Sequence, residues 1–311
     1  MEIDPNIKTL DYADDEISFT ELFQAIWNDK WLILTSTSLF SIVAILYSLS
    51  LPNIYESKAY LSPVGESSSS VSSMQGMGGL ASLAGINLPS QSVGSKSDKA
   101  LKKLNTLSFF KENILPNIFL PDLIALESWD ASTNTILYNK EVFNSETQSW
   151  VVESQVYSAQ KSFRAFNERL RVVRDELTGF VTITIKHQSP FVAKEWAELV
   201  VSQLNTFYRS KDKLEAQTAI NFLNTQIAQT RFTEIKQVLA QLLQGKVQKL
   251  TLIEVNNFYV FEYIDPPAVM EKRIEPSRST ISILGALMGG ILGILITLIR
   301  FITSKPKTTI I

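Results

Sequence analysis

The sequence predicts an α+β membrane protein: two transmembrane helices flank one large domain, which has an α/β base of split β-α-β type and a long projecting α-helical arm. Three observations predict it. Residues 31–51 and 279–299 are two runs of 21 without Asp, Glu, Lys or Arg. Short alternating segments between them read as strands. Residues 190–255 instead keep a helical period and contain no proline after Pro190.

A bilayer core needs about 20 apolar residues at about 1.5 Å each, so both runs are long enough to span. Backbone amides find no water in hydrocarbon, and each run must close its own hydrogen bonds as a helix. The first is rich in hydroxyls, Thr35, Ser36, Thr37, Ser38 and Ser41, which bond back to carbonyls one turn earlier. A cleaved signal peptide is the alternative for this run, but the 30 residues ahead of it carry eight acids against Lys8 and Lys30, the opposite of a basic leader.

Residues 11–31 read as a short amphipathic helix feeding the first span. Ser18 and Glu21 form a capping-box pattern, and Phe19, Leu22, Phe23 and Ile26 share a face. Such a helix lies on the membrane surface or simply extends the span.

The division expected is 1–30 as an N-terminal segment, 31–51 as the first span, 52–278 as the large domain, 279–299 as the second span and 300–311 as a tail. Within the domain, 52–189 and 256–278 form the base and 190–255 the arm. The domain holds 24 Lys and Arg against 23 Asp and Glu, and so implies no nucleic acid partner. Basic residues flanking the spans balance and leave orientation open. The chain has no cysteine and therefore no disulfide, thiolate or Cys-bound zinc.

Tyr55 to Val64 carries a strand signature. Between Ser62 and Ser97 lie twelve serines and six glycines, a loop composition. Inside it GLASLAGINL, 79–88, is apolar enough to cover the domain's own core or touch a neighbouring chain. A helix is expected over 97–113, capped by Ser97 or Asp98, and another near 156–166. RLRVVRD, an ELTG turn and FVTITIK make a β-hairpin whose Gly179 supplies the permissive backbone. Trp129, Tyr138 and Trp150 are expected in a satellite core.

FYVFEYI, 258–264, reads as a further strand, so the arm must turn back, with TRFT at 230–233 and Gly245 as its weak points. The arm's middle, SKDKLEAQTA, is too polar for a compact core. Its thin stripe of Leu214, Ala219 and Ile220 either meets water or packs on another arm.

Candidate chemistry is sparse. His187 is the single histidine and reads as structural. No GxxxxGK[ST] loop occurs, and Asp175 with Glu176 and Glu195 with Glu198 read as solvated charge. No catalytic residue, cofactor or metal is expected. Asp265 precedes Pro266 and Pro267, and with Pro276 these prolines make a stiff connector ahead of the second span. In that span Gly285, Gly289 and Gly293 stack on one helix face with Gly290 beside them, a seam for close packing against the first span or another chain.

Several separated motifs resemble the Wzz chain-length determinants, the polysaccharide co-polymerases without a fused kinase: DEISFTELFQAIWNDKWLIL, YESKAYLSP, GLASLAGINL, TGFVTITIKHQSPFVAKEWAELVV and YVFEYIDPPAVMEKRIEPSR. QKLTLIEVNNF, in the returning half of the arm, departs from the family's charge-rich pattern. The resemblance implies a non-enzymatic homo-oligomer of the bacterial inner membrane, with termini in the cytoplasm and the bulk of the chain in the periplasm. It implies a regulator of O-antigen or related surface polysaccharide length, contacting membrane lipid, the O-antigen polymerase and undecaprenyl-linked glycan. A capsule or exopolysaccharide export subunit working with a separate kinase is the other reading. The twelve residues after the second span are too few for a kinase domain of their own, and a sensor would likewise need a cytoplasmic output module.

Overall fold

The computed structural model describes residues 19–64, 95–151, 158–256 and 258–304. The Ser18 cap and the 79–88 segment lie outside them. The chain divides into two compact units, Met1–Pro52 with Glu275–Ile311, and Asn53–Ile274.

The first unit is helical. α1 (Phe19–Asn28) breaks at Asp29 and is followed by α2 (Lys30–Ser50), and the third helix of this unit, α3, covers Arg278–Ser304. α2 and α3 are both long and apolar enough to cross a membrane. Along α2, Thr37 donates back to the Ile33 carbonyl at 2.8 Å and Thr35 to that of Leu32 at 3.0 Å, so these hydroxyls are satisfied within the helix. α1 packs on both long helices. It leaves Phe23 stacked on Trp27 with ring centres 6.2 Å apart, both exposed.

The second unit is built on a four-stranded antiparallel sheet. Its strands are β1 (Tyr55–Pro63), β6 (Leu170–Arg174), β7 (Val181–His187) and β8 (Phe261–Asp265), in the order β6-β7-β1-β8. β7 and β8 run parallel with β1 between them, and β1 and β6 run parallel with β7 between them, so two split β-α-β units interlock. On β1, Ser57, Ala59 and Leu61 are buried while Lys58 and Tyr60 are exposed, the period-two pattern of a half-buried strand. β8 is shorter than 258–264 suggests. Its first backbone groups are taken by a side chain, Asn205, instead of by β1.

The helix expected over 97–113 is broken. α4 (Lys96–Leu104) is capped by Ser95, whose hydroxyl accepts from Asp98 N while the Asp98 carboxylate accepts from Ser95 N. Thr106 then caps a second start, which widens into a π-turn at Phe110–Ile114 that sends Phe109, Phe110 and Ile114 into the core. After it come α5 (Leu120–Ile124) and two small hairpins that the sequence does not announce: β2 (Leu126–Asp130) with β3 (Thr135–Tyr138), and β4 (Phe143–Asn144) with β5 (Ser149–Trp150). Phe119, Tyr138, Phe143 and Trp150 form an edge-to-face chain there, the satellite cluster. Trp129 stands apart, against Tyr55 and Phe191.

α6 (Ala159–Arg169) covers the sheet beside α7 (Pro190–Gln229), whose first turns bury Val192, Trp196, Val200 and Leu204. Ser189 and Pro190 start α7 where proline's missing N–H costs nothing. His187 sits under that start, 2% exposed. Its Nδ1 accepts from Ser189 N at 3.0 Å, so Nε2 carries the proton and donates to the Asp122 carbonyl at 3.1 Å. Burial is the main cause that lowers its pKa from the ordinary 6.5 to about 4, and the nearby Arg169 adds to it.

Because the unfolded chain binds this proton near pH 6.5 and the folded chain only near 4, stability is full above 6.5 and is lost as pH falls through that window. The thermal midpoint of the wild-type protein is therefore expected to drop more between pH 7 and pH 4 than that of His187→Gln. Parallel curves would show that His187 does not carry this dependence.

Candidate functional site

Among the described residues no group of His, Cys, Asp and Glu could hold a metal ion. Two open grooves, one lined by Glu56, Lys58, Met270 and Lys272 and the other by Gln160, Phe163, Arg164 and Glu168, contain neither His, Ser nor Thr. The surfaces that stand out belong to the arm and to the helix pair of the first unit.

The arm is a helical hairpin. α7 runs for 40 residues, Thr230–Phe232 breaks it, and α8 (Thr233–Val255) returns antiparallel. The break falls at TRFT and not at Gly245. Glycine keeps its N–H and continues the helix for about 1 kcal/mol, whereas Thr230 turns extended and its hydroxyl bonds back to the Gln226 carbonyl at 2.7 Å.

The root of the arm is tied by polar groups. Asn205 on α7 is buried: its Nδ2 donates to the Phe261 carbonyl at 2.9 Å, and its Oδ1 accepts from Val260 N at 2.8 Å, Phe261 N at 3.0 Å and Tyr259 N at 3.4 Å. Two turns further along, Asp212 accepts from the Tyr259 hydroxyl at 2.5 Å and pairs with Lys96 at 3.2 Å, while the Lys96 ammonium lies 3.9 Å from the Tyr259 ring centre. Burial pushes the Asp212 carboxyl up, but the Tyr259 hydroxyl and Lys96 outweigh it and hold it below the usual range. Burial, then the bond to Asp212, raises the Tyr259 hydroxyl. Arg209 donates to the Asn256 carbonyl. Three segments, α4, α7 and the entry to β8, therefore meet at one point.

Beyond the root, α8 is apolar on two faces. Leu239, Leu243, Leu250 and Ile253 turn inward against α7, where Ala216 and Leu223 are buried. Ile235, Val238, Leu242 and Leu252 lie on the flanking face, roughly a quarter turn round the helix, and are each half or more exposed. Leu214 is 66% exposed, as both readings of the expected stripe allow, and the buried residue of this stretch is Ala216.

In the first unit, Gly285, Gly289 and Gly293 face α2 of the same chain. A Cβ on Gly289 would come 2.8 Å from Phe40 Cβ and 2.9 Å from Thr37 Cα; one on Gly293 would come 2.9 Å from Ile33 Cα; and one on Gly285 would overlap Ala44. Gly290 is not tight, with Thr37 Oγ1 at 3.6 Å from such a Cβ. The close approach lets Ser36 donate across to the Gly289 carbonyl at 2.9 Å. Pro266 is exposed and Pro267 buried after β8, and Pro276 follows a cis bond from Glu275. The chain between them is held to β1 through Ser57 to Ala268 O and Ile274 N to Ile54 O.

Residues 15–100 match the family model of Wzz, chain length determinant protein. The likeness to Wzz proteins is shown over this stretch. It runs from ahead of α1, through α2 and β1, into α4. Wzz proteins are membrane-associated regulators of polysaccharide chain length and are not known as enzymes. No curated protein sequence matches the chain. A solved structure titled full-length bacterial polysaccharide co-polymerase aligns at a TM-score of 0.38 and 14% identity, over 93% of this chain and 100% of that one, a likeness too loose to carry an argument.

The glycine seam is open to test because the chain has no native cysteine. A Cβ built on Gly290 meets nothing closer than Thr37 Oγ1 at 3.6 Å, so a cysteine fits there and lies within reach of one at position 37. Thr37→Cys with Gly290→Cys is expected to oxidise within one chain, and adding Gly289→Leu to reduce that yield several-fold while leaving membrane insertion intact. Undiminished cross-linking would mean that the glycine does not set the helix spacing.

Proposed function

We propose that the protein is a non-enzymatic regulator of O-antigen or related surface polysaccharide length, acting as a homo-oligomeric scaffold in the inner membrane for the polymerase and its undecaprenyl-linked glycan. In this reading the Asn53–Ile274 unit is periplasmic, and α2 and α3 are the spans. The Wzz match over 15–100 carries the reading. Two further features support it: the pair of membrane-competent helices, and the arm's uncovered apolar face.

Ile235, Val238, Leu242 and Leu252 follow the threes and fours of a coiled-coil seam, interrupted by Gly245 and Lys249. Each is only half exposed, so covering it is worth about half of the roughly 1.5–3 kcal/mol of a fully exposed side chain. A second arm is the partner that such a stripe suits. The proteins's scaffold role then follows from assembly, with glycan length set by the assembled surface and not by bond-making in any one subunit.

Deleting the gene should broaden or shift the modal band of the surface polysaccharide on a gel. Val238→Glu with Leu242→Glu should do the same while the protein remains inserted and helical, because only the exposed face changes. An unaltered O-antigen ladder in both strains would sink the reading; an unaltered ladder with altered capsule length would move the protein to the export role.

A further inference from the structure

Among the described residues, the four-stranded sheet ends in two unpaired edges of opposite charge. β6, LRVVR, carries Arg171, and Arg174 already paired with Asp98, and no acid; β8, FEYID, carries Glu262 and Asp265 and no base. Among the described residues no further strand pairs with either edge. On the face of the sheet away from α7, Arg171 and Val173 of β6 are exposed, Val173 to 45%. On β8, Glu262, Ile264 and Asp265 are exposed, Ile264 to 47%. Arg171, Glu262 and Asp265 have no ion-pair partner among the described residues. Asn205 already caps Phe261, so the free edge of β8 is Glu262–Asp265.

We propose that β6 of one copy of this chain pairs with β8 of the next, continuing the sheet from subunit to subunit. Strand direction permits it. β6 runs with β1 and against β8, so the two edges meet antiparallel when equivalent subunits stand side by side. Charge selects it. Pairing β6 with β6 sets arginine against arginine, and pairing β8 with β8 sets acid against acid, both destabilising across a sheet. Only the mixed pair joins Arg171 to Glu262 or Asp265, and it also covers Val173 and Ile264. A mixed interface is head-to-tail, which closes into a ring when the rotation allows. Edge charges also serve in many proteins to block strand pairing. Charges of one sign per edge, opposite between the edges, suit pairing better than blocking.

This inference rests on the homo-oligomer reading above and locates its contact. The test uses the full-length protein in membranes, whose lack of cysteine gives a clean background. Val173→Cys with Glu262→Cys, mildly oxidised, is expected to give a ladder of covalent multimers on a non-reducing gel that neither single variant gives. Because the register is not assumed, a second pair of variants accompanies it. Arg171→Glu should shift the detergent-extracted protein from multimer toward monomer mass, and adding Glu262→Lys and Asp265→Lys should restore the multimer. If a lysine-reactive cross-linker still yields multimers while the cysteine pair yields none and the charge reversals change nothing, the edges are blockers and assembly uses another surface. If the lysine cross-linker yields no multimer either, the homo-oligomer reading itself fails.

Discussion

The arm depends on one buried carboxamide. A helix that leaves the sheet, turns and comes back as α8 must rejoin a strand, and the backbone at the rejoining point has lost its helical bonds without yet gaining strand bonds. Asn205 fills that gap, with one oxygen toward the amides of Tyr259, Val260 and Phe261 and one amide toward the Phe261 carbonyl. A buried backbone group without a partner costs about 1–3 kcal/mol, so a single side chain that serves four such groups sets whether β8 forms at all.

Much else in the second unit follows from that join. With β8 fixed beside β1, the sheet acquires its second edge, and the chain after it is held along β1 through Ser57 and Ile54. The Lys96, Asp212 and Tyr259 contacts then clamp α4 to the same root. The hairpin above it has less to hold it. Lys213 and Glu254 lie 2.5 Å apart but are both about half exposed, and surface pairs of that kind contribute little. An element with a firm root and an apolar outer face is suited to presenting that face to a partner.

The legible parts of the fold are those with local signatures. Strict alternation on β6 and β7, with Gly179 at a φ of +72°, is readable because both period and turn are local. The glycine seam is readable because spacing of four defines a helix face; that its partner is α2, with Ser36 bonding across, is not. Asn205 was missed in the sequence because its partners lie 54–56 residues away and one asparagine in an apolar-periodic run carries no local mark. The break at Thr106 and the small hairpins around Trp129 escaped for a related reason: Thr106 acts as a second cap only once the core demands Phe109 and Phe110 together. That Ala216 is the buried residue of the arm's polar middle is not legible either, because it depends on where α8 returns.

The most direct test of this account is hydrogen exchange on Asn205→Leu, which keeps a side chain of the same branching and heavy-atom count and removes all four hydrogen bonds. The account predicts fast exchange at Tyr259–Phe261 and through β8, and a thermal midpoint lowered by several degrees, with α2 and α3 unchanged. Wild-type protection at those amides, with the arm still returning to the sheet, would contradict it.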